Sequence, residues 1–267
     1  MFQAPPPSAE TLPTLYSLDY RPLQQTGLVG ALKSIQATLL ARMLKKHIHG
    51  LDKRILELGC GGGHLLRGLA RMGYRNLTGV DWVIPPAMRE ASQAINLVEA
   101  DMTRYVPTHG IDALVVNNVL EHVLEPKALL TRYREFLSAD GCILLLTPNA
   151  RSMGHTLFGR YWSGLHAPRH VTVFTGPAVH ELARVAGLRV LQLRGVSDPG
   201  GWAISVQSLW HAWRRGAKPR SNFGWPAIFG LMLCYPLAII EGHTSSASSL
   251  FIALGHAHAG PGEAQGR

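Results

Sequence analysis

A glycine-rich turn beside a carboxylate is the part of this chain best suited to chemistry. The apolar run at 54–58 contains Glu57 and leads into Gly59, Gly61 and Gly63, after which a helical pattern begins. Glycine lets backbone N–H groups approach a ligand because no Cβ blocks them. Such a turn between a buried strand and a helix N-terminus is typical of a nucleotide-binding site.

The residues around the turn distinguish two classes of nucleotide cofactor. A dinucleotide fingerprint needs Gly or Ala at position 64, where this chain has His64. The Glu57 carboxylate repels phosphate but suits a cationic ligand that carries an ammonium and a sulfonium group. We therefore expect S-adenosylmethionine rather than a dinucleotide. The predicted contacts in this segment are Glu57, Gly59, Cys60, Gly61 and Gly63.

Polar side chains also stand at the ends of the next three predicted strands. Asp81 can accept both ribose hydroxyls. Asp101 is placed to accept the adenine amino group, and Met102 or Trp82 can pack on the ring. Asn117 ends the fourth strand, where we expect the methyl group to point.

Strands and helices alternate through the middle of the chain. The predicted strands are 54–58, 77–81, 95–99, 112–117, 141–147, 188–194 and 249–254. The predicted helices are 64–72, 86–94, 126–138 and 177–186. Continuous apolar runs at 113–116 and 143–146 are typical of parallel strands covered on both faces. The alternation predicts an α/β fold with a doubly wound, Rossmann-like sheet.

The rest of the chain divides around this core. We predict a tail over 1–27, a helical cover over 28–50, a core over 51–195 with a lid loop at 150–175, an apolar insertion over 196–248, a last strand at 249–255 and a tail over 256–267. The long insertions thus follow the fifth and sixth strands.

The composition argues against a disordered or disulfide-rich protein, but it does not indicate which kind of molecule the protein binds. The net charge is +9, but the positive charges are spread out apart from Arg214, Arg215, Lys218 and Arg220. The content of 46% hydrophobic and 16% charged residues argues against general disorder. Three widely spaced cysteines indicate neither a disulfide framework nor a zinc knuckle. Without the features of a signal peptide at the N-terminus, we expect a cytoplasmic protein.

An apolar stretch at 225–240 follows the basic run. It is about 16 residues long, shorter than the ~20 that span a bilayer, and two prolines interrupt it. We expect a helix buried on the domain. A helix in the membrane interface is the alternative, since Trp225 could lie at headgroup depth, so peripheral membrane contact through 214–240 stays open. For the basic helix at 28–48, predicted to cover the core, a position in the membrane interface is likewise the alternative.

These motifs resemble those of the class I S-adenosylmethionine-dependent methyltransferases. The resemblance rests on residues 55–63, 79–81, 100–102 and 119–123. Residues 119–123, together with 168–170 and 174–175, are similar to the corresponding motifs of the ubiquinone-pathway O-methyltransferases. It implies a seven-stranded sheet with an antiparallel last strand, and methyl transfer by direct displacement. In the ubiquinone-type enzymes a Glu-x-x-Glu-His pattern can hold a divalent metal. Here Asn118 replaces the first carboxylate, so we expect no metal ligands.

Histidines are the candidates for chemistry on the acceptor. A hydroxyl acceptor needs a base, and imidazole suits this role near pH 7. The candidates are His122, after the fourth strand, and His166 and His170 on the lid loop; each has a loop-anchoring alternative. Tyr161, Trp162 and Arg169 are assigned to the acceptor site, with ordinary loop packing as the alternative for the two aromatic residues.

The expected function is O-methylation of a small apolar or phenolic molecule. Methylation of RNA is an alternative that the net charge encourages, but no RNA-binding module or interleaved basic and aromatic surface supports it. A protein that binds the cofactor without catalysis is a second alternative. The predicted partner is therefore a small-molecule acceptor, with no nucleic acid.

Overall fold

A computed structural model describes residues 27–86, 89, 95–215 and 225–257 of the chain. The strands are β1 (Arg54–Leu58), β2 (Asn76–Asp81), β3 (Ile95–Glu99), β4 (Ile111–Asn117), β5 (Leu137–Pro148), β6 (Leu188–Val196) and β7 (Ser249–His256). The α-helices are α1 (Gly27–Lys45), α2 (His64–Arg71), α3 (Pro126–Arg134), α4 (Met153–Phe158), α5 (Gly176–Val185), α6 (Pro199–Arg215) and α7 (Trp225–Glu241). Short 3-10 turns lie at Leu120–His122, Gly159–Tyr161 and Ser163–Leu165.

The seven strands form one sheet in the order β3-β2-β1-β4-β5-β7-β6. The pairs among β1 to β5 are parallel, whereas β7 runs antiparallel to both β5 and β6. The predicted doubly wound sheet and its antiparallel last strand are both confirmed. Because β1 to β4 are parallel neighbours, their carboxyl ends meet at one edge of the sheet.

Both faces of the sheet are covered by helices. Successive strand residues point to opposite faces, so Leu56 and Leu114 join a core cluster with α3 and α5. Ile55 and Val115 join a second cluster with α1 and α2. This double burial explains the continuous apolar runs in β4 and β5.

Several predicted boundaries shift in the structure. β1 and β3 have the predicted bounds, while β5 begins four residues early, at Leu137, and shortens the helix predicted at 126–138 to α3. The helix predicted over 86–94 lies outside the described residues apart from 86 and 89. The predicted tails also lie mostly outside them, but Gly27 already belongs to α1 and His256 ends β7.

The insertion after β6 is a pair of helices, α6 and α7, of which only the second was predicted. The expectation that this helix is buried on the domain is wrong for most of its described side chains. Gly230, Cys234 and Ala238 are buried, but Phe229 and Met232 are 66% and 76% exposed. Among the described helices, none is both long enough and apolar enough to cross a bilayer.

Candidate active site

The glycine-rich turn after β1 is built from residues that need left-handed backbone. Gly59, Gly61 and Gly63 have φ values of 67°, 49° and 64°, a region that side chains other than glycine rarely adopt. A Cβ on Gly59 would collide with the side chain of Val119. The turn is bonded to the end of β2, because the Gly59 amide donates to the Val80 carbonyl at 2.8 Å.

Glu57 lies beneath this turn and is almost fully buried. Its Oε2 atom has no hydrogen-bond partner among the described residues. Burial, and next the charge of Asp81, hold the pKa of this carboxyl well above its usual range. A buried carboxyl oxygen without a partner is costly, and an ammonium group at this position would satisfy it. The residues present therefore fit a cofactor that carries a positive charge.

Asp81 lies at the end of β2, beside the turn. Its Oδ2 accepts a hydrogen bond from the Gly61 amide at 2.7 Å. Burial raises the pKa of Asp81, and the hydrogen bond from Gly61 lowers it. This carboxylate orders the turn and is half-buried at the cofactor edge of the sheet.

The predicted adenine contacts lie at the neighbouring strand end. Asp101, just after β3, accepts hydrogen bonds through Oδ1 from the amide and hydroxyl of Thr103, at 2.8 and 2.7 Å. Met102 is buried, and Trp82 is half-buried against the same core cluster. The roles predicted for these residues toward adenine stay predictions.

The other two predicted cofactor residues lie at the ends of β1 and β4. Cys60 is buried, and burial raises the pKa of its thiol well above the usual range. A Cβ on Gly79 would come within 2.8 Å of the Cys60 sulfur, so this side chain packs tightly on β2. Asn117 is half-buried and accepts a hydrogen bond from the side-chain amide of Asn118 at 3.2 Å.

The three predicted catalytic histidines form one cluster. The ring centroids of His122 and His170 are 4.6 Å apart, and those of His166 and His170 are 5.1 Å apart, both in edge-on contact. Nδ1 of His122 lies 3.0 Å from the Arg169 carbonyl, and Nδ1 of His170 lies 2.8 Å from the Gly164 carbonyl. The lid loop and the segment after β4 therefore meet at these side chains.

Backbone bonds hold the lid loop against the same segment. The amides of Val171 and Thr172 donate to the Glu121 carbonyl at 2.8 and 3.1 Å. The Thr147 hydroxyl donates to Glu121 Oε2 at 3.0 Å. Glu121 thus connects the end of β5, the Leu120–His122 turn and the lid loop.

Burial sets the protonation of this cluster. It lowers the pKa of His122 and of His166 to about 4, and it lowers the pKa of His170 well below the usual value. Burial raises the pKa of Glu121 to about 7. At neutral pH the three imidazoles are therefore uncharged.

The three residues predicted to contact the acceptor have different surroundings. The Trp162 ring is buried and lies 4.8 Å from the His155 ring. The Tyr161 hydroxyl accepts a hydrogen bond from Arg160 at 2.7 Å. Arg169 contacts the histidine cluster through its backbone carbonyl, which faces Nδ1 of His122. Contact with an acceptor stays a prediction for all three.

Glu121, His122 and His170 also place one potential metal-ligand atom each within 4.8 Å of one another. One carboxylate and two imidazoles do not suit a hard cation such as magnesium, which prefers oxygen ligands. Two imidazoles and one carboxylate instead form a donor set known for borderline cations such as zinc.

Comparison with known proteins identifies the family. Residues 31–193 match a family model described as a methyltransferase domain. The chain is 30% identical over 169 residues to a ubiquinone biosynthesis O-methyltransferase of Cereibacter sphaeroides, covering 57% of this chain and 67% of that relative. The chain belongs to the class I S-adenosylmethionine-dependent methyltransferases. The predicted cofactor, S-adenosylmethionine, and the predicted enzyme class are thereby confirmed.

Solved structures share the fold of this methyltransferase. Magnesium protoporphyrin IX methyltransferase from Synechocystis PCC 6803 aligns with a TM-score of 0.54 at 13% identity, covering 89% of this chain and 93% of that one. 1,6-Didemethyltoxoflavin-N1-methyltransferase from Burkholderia thailandensis aligns with a TM-score of 0.52 at 22% identity, covering 63% and 73% of the two chains. Both of those structures contain the demethylated cofactor, S-adenosylhomocysteine.

Sequence reasoning missed one buried residue of this methyltransferase that supports the lid loop. Glu241 accepts hydrogen bonds from the Trp202 indole at 2.8 Å, from the Ser248 hydroxyl at 2.6 Å and from the Met153 amide at 3.0 Å. The available signal was a single acidic residue directly after a long apolar run. An acidic residue in that position can be buried only when hydrogen-bond donors surround it, and here the donors come from distant parts of the chain.

Proposed function

We propose that this methyltransferase methylates a hydroxyl group of a small apolar or phenolic molecule. The observation that carries the proposal is the cluster of His122, His166 and His170, which lies between the lid loop and the segment after β4. We place this cluster beside the methyl-donor site, where a neutral imidazole nitrogen can accept the hydroxyl proton as the methyl group is transferred to oxygen. The name of the Cereibacter sphaeroides relative, an O-methyltransferase, supports the same class of acceptor.

In this proposal the sheet edge holds the cofactor. The Glu57 carboxyl and the glycine turn bind its amino-acid end, Asp81 binds the ribose, and Asp101 binds the adenine amino group. When bound, S-adenosylmethionine supplies an electrophilic methyl group. The protein holds donor and acceptor in line and excludes water, and this positioning is a large part of the catalysis.

Within the cluster, we assign the acceptor proton to His170. Its Nδ1 faces the Gly164 carbonyl and so carries the ring proton, which leaves Nε2 as the accepting nitrogen. His122 contacts the backbone of Arg169 and positions the lid loop. Tyr161, Trp162 and Arg169 are proposed to line the acceptor site.

The proton-acceptor role can be tested with two phenols of different acidity. His170→Asn should slow methylation of an un-ionised phenol by about a hundredfold, because a general base contributes on this order. It should hardly slow methylation of a nitrophenol that is already ionised at neutral pH. Turnover of both phenols and calorimetric affinity for S-adenosylmethionine would be measured, with His109→Asn as the exposed control.

Two results would contradict this function. Equal slowing of both phenols would remove His170 as the base. Methylation of amines, with no methylation of any phenol or alcohol in a panel of increasing apolar length, would overturn the hydroxyl acceptor.

A further inference from the structure

We infer that the helix pair α6 and α7 docks onto the surface of an anionic lipid bilayer and lies in its headgroup interface. The segment lies beyond the residues that match the methyltransferase family model, which end at 193. The inference rests on how the two helices pack, on which side chains they expose and on their charge.

The packing of α7 is the reverse of that expected for a helix surrounded by water. Its small residues Gly230, Cys234 and Ala238, spaced four apart, are buried, as is Glu241 at its end. A Cβ on Gly230 would come within 2.9 Å of Val206, so the two helix backbones approach closely. Small residues at a close helix contact are typical of pairs whose outer surface faces lipid.

The large apolar side chains of α7 point outward. Those exposed over at least about half of their surface are Phe229, Met232, Leu233, Tyr235, Leu237 and Ile240. A contiguous apolar surface of this kind is uncommon on a protein that meets only water, and it marks an interaction site. Since α7 is too short to cross a bilayer, it suits an interfacial position.

The far end of α6 extends the same surface. The near half of the helix is buried through residues such as Trp202 and Ser205, whereas Trp210 and Trp213 are 41% and 77% exposed. The Arg214 guanidinium lies 4.8 Å from the centre of the Trp210 ring. Tryptophan beside arginine is typical of the boundary between headgroups and acyl chains.

Charge identifies the occupant as an anionic surface rather than a second copy of this chain. The sequence from 199 to 240 contains no Asp or Glu and carries Arg214, Arg215, Lys218 and Arg220. Glu241 is buried and hydrogen-bonded inside the protein. A symmetric dimer through this surface would bring the exposed Arg214 of each copy to a helix pair that offers no carboxylate between 199 and 240. Anionic headgroups attract such a basic segment within a Debye length.

The base of the helix pair packs on the start of the lid loop. Trp202, Cys234 and Ala238 form a cluster with Met153 and Phe158 of α4. Docking would therefore bring α4 close to the bilayer, where an apolar acceptor is concentrated. This consequence for the acceptor rests on the proposed function, whereas docking itself does not.

Vesicle flotation of the full chain tests the inference. Wild-type protein should float with vesicles of phosphatidylcholine and phosphatidylglycerol, float much less with phosphatidylcholine alone, and lose binding at high salt. Met232→Glu/Leu233→Glu should lower the bound fraction about tenfold or more, because it places charge on the exposed apolar face that enters the bilayer interface. Val106→Glu is the control, because it also places a charge on an exposed apolar residue but outside the helix pair. This variant should float as wild type does.

Unchanged S-adenosylmethionine affinity and thermal midpoint would show that the double variant is folded. The inference is overturned if wild-type protein stays at the bottom with anionic vesicles, or if the double variant floats like wild type. It is also overturned if sedimentation shows a dimer that the double variant dissociates while no vesicle is bound. These readouts need no methyl acceptor, so a failure of the proposed function leaves them intact.

Discussion

The amide of Gly61 donates a 2.7 Å hydrogen bond to Asp81 Oδ2, so the glycine turn after β1 is joined to the end of β2. The Asp81 carboxylate thereby orders the turn, and it lies where we expect it to contact the ribose of the cofactor. Asp81→Ala should weaken binding of S-adenosylmethionine about 10- to 100-fold, since hydrogen bonds to a charged group contribute about 1.5–3 kcal/mol. Isothermal titration calorimetry measures this affinity.

Asp52→Ala is the matched control for this prediction. Asp52 is an exposed carboxylate that pairs with Arg75 at 3.3 Å. Its removal should leave the affinity at the wild-type value. Unchanged affinity in Asp81→Ala would contradict the ribose assignment.

Gly59 is required by both backbone conformation and space. Gly59→Ala should lower the free energy of unfolding by about 2–4 kcal/mol, because the left-handed backbone is strained and the new Cβ collides with Val119. Gly50→Ala separates the two effects. Gly50 also has a positive φ, 105°, but its added Cβ would make only an ordinary contact, 3.7 Å from Cγ of Lys53. Urea unfolding should show the larger loss in Gly59→Ala, and equal losses would show that the contact with Val119 contributes nothing.

The histidine cluster should make the protein less stable in mild acid. The pKa of His166 is lowered to about 4 in the folded protein, whereas an unfolded histidine titrates near 6.5. Between these values the unfolded chain binds more protons, so stability is full above about pH 6.5 and falls as the pH drops toward 4. Lowering the pH from 7 to 5 should cost about 2 kcal/mol through this residue alone.

Between pH 7 and pH 5, the free energy of unfolding of His166→Gln should therefore fall by about 2 kcal/mol less than that of wild type. Urea unfolding at both pH values measures the difference. His109→Gln, at an exposed histidine, should behave as wild type does. A His166→Gln variant with the wild-type pH dependence would show that this imidazole is not kept neutral by burial.

Glu241 should contribute to stability although it lies far in sequence from its partners. Glu241→Ala removes the acceptor that the Trp202 indole shares with Ser248 and the Met153 amide shares with the Ser246 carbonyl, so it should lower the free energy of unfolding by about 1–3 kcal/mol. Glu181→Ala removes an exposed carboxylate that pairs with Arg184 at 2.6 Å, and its urea midpoint should stay close to that of wild type. Similar midpoints for both variants would mean that Glu241 does not anchor the lid segment.

The cofactor half of the site could be predicted because its signals are local. A glycine that needs a positive φ, such as Gly59, is visible in the sequence, and so is a carboxylate directly after a strand, such as Asp81. The period of the apolar residues predicted the strands, and parallel strands bring their ends to one edge. The sequence therefore indicated S-adenosylmethionine before any tertiary contact was known.

The acceptor half of the site depended on contacts between distant segments. His122 and His170 are separated by most of α3, β5 and the lid loop, and only folding places their rings 4.6 Å apart. Their histidine type was visible in the sequence, but their neutral state follows from burial, which no local pattern specifies.

The α/β alternation, the cofactor edge of the sheet and the positive charge of its ligand follow from the sequence alone, because each depends on residues within a few positions of one another. The histidine cluster, the Glu241 anchor and the outward face of α7 instead depend on tertiary contacts. An apolar run has the same composition whether it faces a core or the surroundings, and the choice is made by the partner against which it packs. For α7 that partner is a close helix, which contacts Gly230 and leaves Met232 outside.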